Sequence, residues 1–167
     1  SIACKNKNKT SNKNMDIIKY LIEEENYDVN EETIERTPLY NIFNKYCYRE
    51  DIVLYLIEKG AIINPVTETN APIFSAVVSE NIDGLNFLLN KRVNINVKDN
   101  HRYTPLHYSV FGTNPSLIKL IENGANIDGD DETTRTPLQI ACKEGFINSV
   151  KILIDKGANI NLSNVDS

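Results

Sequence analysis

Residues 104–107 read Thr-Pro-Leu-His, and the first three letters of this stretch return at a fixed interval along the 167-residue chain. Thr-Pro-Leu stands again at 37–39 and at 136–138, and Ala-Pro-Ile at 71–73 is a weaker copy. The prolines are residues 38, 72, 105 and 137, so the steps between them are 34, 33 and 32 residues. A period of this length indicates a repeat architecture.

A second landmark keeps the same period. It is a short segment that occurs five times and ends each time at an Asn or Asp residue. The last residues of the five copies are Asn30, Asn64, Asn96, Asp128 and Asn161. The steps between them are 34, 32, 32 and 33 residues. Two landmarks that hold one period over the whole chain predict a linear array of repeats.

Each period carries two short apolar segments separated by a polar break, with apolar residues at helical spacing, as at Val150 and Leu153. Thr before Pro suits a helix start, because the hydroxyl caps free amides and proline lacks only an amide that would go unpaired. Gly60, Gly124 and Gly157 follow the second segment, where a left-handed C-cap is favoured. The pattern therefore predicts an all-α chain of antiparallel helix pairs.

The period of about 33 residues, Thr-Pro-Leu-His at 104–107 and Gly-Ala-Asn-Ile at 124–127 and 157–160 resemble ankyrin repeats. The resemblance covers essentially the whole chain. It implies a solenoid of stacked helix-loop-helix units with projecting finger loops, whose concave surface binds other proteins. On this alignment the repeats are residues 1–30 (truncated), 31–64, 65–97, 98–129 and 130–162, and 163–167 begins a further finger. Neither end shows a polar capping repeat, so we expect a segment of a longer array.

The chain departs from the family pattern in its fingers and in two loops. Family members usually carry glycine two residues before the Thr, where this chain has Glu35, Thr69, Arg102 and Thr134. Arg92 replaces the glycine after one second helix, which we expect to cost strain. Insertions lengthen the loops at 5–14 and around 46–48. They form either a private contact surface or tolerated loop drift.

The resemblance implies that partner contacts come from the fingers and from the exposed side of the first helices. The finger candidates are Ile34, Arg36, Glu68, Asn70, His101, Tyr103, Glu132 and Arg135. The helix candidates are Asn44, Lys45, Val78, Ser79, Phe111, Lys143 and Glu144. Tyr103, Phe111 and the two arginines are the best anchor types, because aromatic and Arg side chains dominate interface energetics. The alternative for any one of them is an ordinary solvated position.

Charge and hydropathy narrow the class of partner. The net charge is −5, and removing the four lysines of residues 1–14 leaves −9 for the rest, which would repel phosphates. The longest apolar run, residues 52–57, is far below the roughly 18 residues of a membrane span. We therefore expect a protein partner for a monomeric chain, with no nucleic acid, no membrane and no small molecule.

No catalytic or metal-binding constellation is predicted, and no cofactor. With two histidines and no acid and nucleophile at matching spacing, a triad cannot be assembled. His107 belongs to the Thr-Pro-Leu-His motif, where the resemblance implies a structural hydrogen-bonding role. The three cysteines lack Cys-x-x-Cys pairing, so we expect no disulfide framework and no zinc site, with Cys4 and Cys142 as small core residues in a cytosolic or nuclear protein.

Asn, Ile and Lys together make up 57 of the 167 residues, which points to AT-rich codons. Irregular repeats in such a composition resemble the ankyrin proteins of poxviruses, giant DNA viruses or host-directed bacteria, and AT-rich protists remain open. The resemblance implies a scaffold or adaptor that binds a protein partner. If the source is a virus, it implies a host-range factor that acts in the host cytosol. The alternatives are the targeting arm of an enzyme or ubiquitin-ligase adaptor whose active domain lies outside this segment, and a purely structural spacer.

Overall fold

The chain folds into antiparallel helix pairs that stack in sequence order. A computed structural model describes residues 11–32, 36–65, 70–129 and 135–162, and the regular elements in these ranges are α-helices. They are α1 (Ser11–Glu23), α2 (Pro38–Ile42), α3 (Glu50–Glu58), α4 (Pro72–Val78), α5 (Ile82–Asn90), α6 (Pro105–Ser109), α7 (Pro115–Glu122), α8 (Pro137–Glu144) and α9 (Ile147–Asp155). The predicted all-α architecture is confirmed.

The helices form two layers. Helices α2, α4, α6 and α8 contact one another in turn and make the inner layer, and each packs against the helix that follows it in the chain. Helix α1 lies beside α3 in the outer layer, where Glu23 pairs with Lys59 at 2.8 Å. Glu122 and Lys156 pair at 3.2 Å between the last two outer helices. These exposed pairs add little stability, so the layers are held mainly by packing.

The first helices begin where the Thr-Pro motif predicts. Pro38, Pro72, Pro105 and Pro137 all occupy the first helical turn. The hydroxyl of Thr136 accepts a hydrogen bond from the amide of Gln139 at 3.1 Å, and Thr37 does the same for Tyr40 at 3.2 Å. Ala71, in the weaker copy, has no side chain that can do this, yet α4 still forms. The cap therefore assists the helix start without being required for it.

The outer helices end in left-handed residues. Gly60, Gly124 and Gly157 have φ of 97°, 90° and 94°, as the sequence predicts. Arg92 takes the same place with φ of 54°, a conformation that strains any residue with a Cβ atom. The amide after each of these residues bonds back to the last helical turn, as Ala125 does to Leu120 at 3.0 Å. These bonds satisfy carbonyls that the helix end leaves open.

The core runs along the stack between the two layers. Its fully buried large side chains come from every described helix pair: Leu39, Phe43, Val53, Ile73, Leu85, Leu88, Leu106, Val110, Leu117, Leu120 and Leu153. Phe43, which stands where other repeats have a smaller residue, packs against Tyr48 and Phe87 with ring centroids 5.6 and 6.0 Å away. Each repeat therefore buries its apolar face mostly against its neighbours, as a solenoid requires.

The second sequence landmark is a ladder of hydrogen bonds between repeats. At each step a side-chain oxygen accepts a backbone amide of the next repeat, at 2.8 to 3.0 Å. The pairs are Asn30 with Ile62, Asn64 with Asn94, Asn96 with Asn126, and Asp128 with Asn159. The period of the landmark thus follows from one contact that is repeated along the stack, and this contact fixes the register between neighbours.

Two expectations about cysteine are wrong. Cys142 is exposed, whereas Val77 and Val110 at the equivalent position are buried. Those valines are covered because another inner helix follows theirs, and no described helix follows α8 on that side. Cys47 is disulfide-bonded, so the prediction against disulfides fails, because spacing along a chain does not report proximity in space. Cys4 lies outside the described residues.

Candidate protein-binding surface

We call the exposed side of α2, α4, α6 and α8, together with the loops that precede them, the inner face. The structure exposes most of the predicted contact residues here: Arg36, Lys45, Val78, His101, Phe111, Arg135, Lys143 and Glu144. Asn44, Ser79 and Tyr103 are half-buried. Asn70 is only 6% exposed, so it offers a partner little surface. Ile34, Glu68 and Glu132 lie outside the described residues.

One row of this face holds one residue from each of four repeats, always six positions after the proline that begins the inner helix. Its members are Asn44, Val78, Phe111 and Lys143. The two central members are apolar and exposed, at 61% for Val78 and 50% for Phe111. An apolar pair between polar neighbours is a common feature of interaction sites.

Phe111 extends its apolar surface toward the next repeat. Its ring meets that of Phe146 edge to face, with centroids 5.4 Å apart. Phe146 stands at the start of α9, next to Ile147, which is 67% exposed. The sequence prediction did not include Phe146 or Ile147. An aromatic residue in a short polar break between two helices was the available signal.

Ser79 has a packing role as well as a surface position. Its hydroxyl donates to the carbonyl of Ser75 at 2.6 Å and accepts the backbone amide of Lys45 at 3.0 Å. The bond from Lys45 joins the second and third repeats at the rim of the inner face. Substituting Ser79 would therefore disturb the stack as well as any contact with a partner.

The finger that precedes α6 is a tight turn built on Asp99. One carboxylate oxygen of Asp99 accepts the backbone amides of His101 and Tyr103, both at 2.9 Å. The amide of Asp99 donates to the Tyr103 carbonyl at 2.9 Å, and Arg102 takes φ of 64° between them. Arg102 stands where the family usually has glycine, so hydrogen bonds to Asp99 hold a conformation that glycine would adopt without strain. The sequence prediction missed this role of Asp99.

Aromatic side chains cluster where the fingers meet the inner helices. The Tyr103 ring stacks on His107, with centroids 5.1 Å apart and planes inclined by 12°. The Tyr108 ring meets Tyr103 and Phe74 edge to face at 6.1 and 5.7 Å. The Tyr108 hydroxyl donates to the second carboxylate oxygen of Asp99. Burial, together with this hydrogen bond, raises the pKa of Tyr108, so it stays a neutral donor at physiological pH.

His107 has the predicted structural role. It is 2% exposed, and its Nδ1 atom accepts the backbone amide of Thr104 at 2.9 Å. Its Nε2 atom lies 3.1 Å from the carbonyl of Arg135 in the next repeat, and donates to it in the tautomer that these partners require. Gln139 makes the same pair of contacts one repeat later, reaching Leu162 at 2.8 Å. These contacts account for the ring without metal binding or catalysis.

Two further properties of the described ranges bear on function. No group of His, Cys, Asp and Glu side chains in them is arranged to hold a metal ion. No helix in them is long and apolar enough to cross a bilayer.

The family model for ankyrin repeats, which contains three copies, matches residues 2–99 and 91–164. The chain belongs to the ankyrin-repeat family. The resemblance carried by Thr-Pro-Leu-His and by the period is confirmed, and with it the ankyrin solenoid. Ankyrin repeats generally mediate protein–protein interaction and are not typically catalytic.

The individual relatives match this chain over only part of their own length. Fowlpox virus ankyrin repeat protein FPV031 is 30% identical over 162 residues, covering 89% of this chain and 46% of the viral protein. Alpha-latrocrustotoxin-Lt1a of Latrodectus tredecimguttatus is 27% identical over 131 residues, covering 76% and 9%. Transient receptor potential cation channel subfamily A member 1 of Homo sapiens is 32% identical over 97 residues, covering 57% and 9%. This ankyrin chain thus spans under half of each relative, and the predicted likeness to poxvirus ankyrin proteins is confirmed.

Proposed function

We propose that this ankyrin-repeat chain is a scaffold or adaptor that holds a protein partner on its inner face and fingers. The observation that carries the proposal is the exposure of Val78, at the end of α4, and of Phe111, just after α6, at equivalent positions of neighbouring repeats. The core of the repeats does not need these apolar side chains. Their burial against a partner would be favourable, at roughly 25 cal/mol for each Å² removed from water.

The proposed contact set is the exposed part of the sequence prediction, extended by the neighbours of Phe111. Phe111, Val78 and Phe146 would form the apolar centre, because central, desolvated aromatic residues carry most of the energy of an interface. Arg36, His101 and Arg135 would contact the partner from the finger side. Lys45, Lys143 and Glu144 would form a polar rim, where each contact adds little.

We further propose that the partner is a host protein and that the chain acts as a viral or other host-directed factor, in the cytosol or nucleus of the host. The fowlpox relative and the AT-rich composition support this.

A second candidate is the targeting arm of an enzyme or ubiquitin-ligase adaptor. Its support is that the chain matches only 9% of the length of two relatives, so arrays like this one occur within much larger proteins. Reading the gene on both sides of this segment would test it. An open reading frame without a further domain would rule it out.

The test of the scaffold proposal is affinity capture with the chain and with the double variant Val78→Ser, Phe111→Ala. We expect a partner that the chain recovers and the double variant loses. Leu54→Ser is the matched control, because Leu54 is 46% exposed on outer helix α3, away from the inner face. Circular dichroism melting would show that the variants stay folded. A partner that survives the double substitution but is lost with Leu54→Ser would contradict the proposed surface.

A further inference from the structure

We infer that Asn81 and Gly84 are positioning residues for the inner face. They fix residues 43–45, which directly follow α2, at a set place beside Val78 of the next repeat. The inference rests on the proposed function, because the place of these residues matters only if a partner contacts the inner face. It adds two buried residues that touch no partner and shape the surface from beneath.

The Asn81 side chain joins two repeats. Its carbonyl oxygen accepts the backbone amide of Gly84 at 3.0 Å, so it caps the start of α5. Its amide group donates to the backbone carbonyl of Phe43, in the second repeat, at 2.8 Å. Asn81 is 5% exposed, and both hydrogen bonds are buried. One side chain thus satisfies a helix start in the third repeat and a carbonyl in the second.

Gly84 makes room for this bridge. A Cβ atom at position 84 would lie 2.3 Å from the Asn81 amide nitrogen and 3.0 Å from Cδ1 of Phe43. Neither group can move away easily, because the Asn81 amide is bonded on both sides and Phe43 is fully buried. Ser116 and Ser149 stand at the equivalent place of the next two outer helices. The absence of a side chain at position 84 is therefore a condition for the bridge.

A different residue makes the equivalent bond between the fourth and fifth repeats. There the Ser149 hydroxyl donates to the carbonyl of Val110, which stands where Phe43 stands in the second repeat. Gly84 has no hydroxyl to donate, and the bulk of Phe43 leaves no room for one. Asn81 supplies the donor from three positions earlier. The large ring, the missing side chain and the long donor therefore form one matched set.

A second hydrogen bond holds the same short segment. The backbone amide of Lys45 donates to the Ser79 hydroxyl at 3.0 Å. The third repeat thus clamps residues 43–45 at two points, one at each end of the segment. Asn44, a member of the row on the inner face, lies between the two points, and Val78, the next member, directly precedes Ser79. The clamp therefore sets how these two members of the row lie relative to each other.

Hydrogen exchange at the Lys45 amide tests the clamp, measured by NMR on the whole 167-residue chain. Asn81→Ser keeps an oxygen that can cap α5 but is too short to reach the Phe43 carbonyl. Gly84→Ala pushes the Asn81 amide out of its place. The control is Asn148→Ala, because Asn148 is exposed on α9, three repeats away from the clamp.

We expect the Lys45 amide to exchange about tenfold faster in Asn81→Ser, because the segment loses one of its two ties. Gly84→Ala should give a similar rise. In the double variant the second substitution should add little, since the group that it displaces is already gone, and urea unfolding should show the same lack of additivity. Asn148→Ala should leave the Lys45 amide unchanged.

The clamp is overturned if Asn81→Ser leaves exchange at Lys45 unchanged, since Asn81 would then be only a helix cap. Additive effects of Asn81→Ser and Gly84→Ala would also overturn it, because Gly84 would then act independently of the bridge. An equal rise in exchange in every repeat would count against it as well, since that is the result of a general loss of stability.

Affinity capture then separates this inference from the proposed function. A partner that needs Val78 and Phe111 should be recovered severalfold less well by Asn81→Ser, and equally well by Asn148→Ala. A partner that is indifferent to Asn81→Ser would leave the scaffold proposal standing and end the positioning role. If no partner is captured at all, the scaffold proposal fails and the positioning role fails with it, while the exchange rates still decide whether the clamp exists.

Discussion

The third and fourth repeats reach the same fold with different local chemistry. The third repeat begins α4 after Ala71 and ends α5 at Arg92, so it lacks both the capping hydroxyl and the terminal glycine. The fourth repeat has Thr104 with the His107 capping box and Gly124. In compensation, six of the seven residues of α4 are buried. Packing therefore sets the fold, and the motif residues add stability to it.

Two equivalent serines behave differently at the joints on either side of the fourth repeat. The Ser149 hydroxyl reaches back to the carbonyl of Val110 at 2.8 Å and contacts Asn114 at 2.9 Å. Ser116 stands at the equivalent place one repeat earlier and is also buried, but its hydroxyl has no hydrogen-bond partner within the described ranges. Serine at this position thus stabilises one joint and destabilises the other.

The largest effect should come from removing packing, and it should be similar in both repeats. Ile73→Ala and Leu106→Ala empty the same buried position of α4 and α6, and each should lower the free energy of unfolding by about 2–5 kcal/mol. Urea unfolding followed by circular dichroism measures this. A much smaller loss at Ile73 would mean that the third repeat is not held by its packing.

The next effect should distinguish the two joints. Ser149→Ala should cost about 1–3 kcal/mol, because it leaves a buried carbonyl without its donor. Ser116→Ala should cost close to nothing or stabilise the chain slightly, since it removes an unpartnered buried hydroxyl. Equal losses in urea unfolding for the two substitutions would show that Ser116 has a partner in solution, such as a buried water.

Exchanging the residues that end the outer helices should give effects of opposite sign. Arg92→Gly should raise the free energy of unfolding by about 1 kcal/mol, because it relieves a left-handed residue that has a Cβ atom. Gly124→Ala should lower it by a similar amount, since φ at this position is 90°. Thermal melts of the two variants are the check. A loss for Arg92→Gly would show that the Arg92 side chain stabilises the third repeat by more than the strain costs.

The smallest effect should come from the caps of the inner helices. Ala71→Thr supplies the missing hydroxyl and should stabilise the third repeat by about 0.5–1 kcal/mol, and Thr104→Ala should cost about 1 kcal/mol in the fourth. Hydrogen exchange at the amides of the first turn reports each change locally. If Ala71→Thr gives no protection, burial of α4 has already closed off these amides.

The sequence predicted the helix starts at Pro38, Pro105 and Pro137 and the left-handed ends at Gly60 and Gly124, because both depend on properties of single residues. The sequence showed the period of the Asn landmark but not its cause. Each landmark side chain accepts a hydrogen bond from a backbone amide about 30 positions further along the chain. Within the candidate surface it named Tyr103 and Phe111 but missed Asp99 and Phe146. Their roles come from contacts that the period does not encode.

What the sequence determined by itself is the array: a periodic pattern of caps, glycines and apolar segments specifies identical units that can bury their faces only on one another. Tertiary structure alone decided which side chains stay uncovered. Val110 and Cys142 occupy the same position of successive repeats, yet one is buried and the other exposed. Burial is a property of what packs next to a residue, and a neighbour one repeat away is not written in the local pattern.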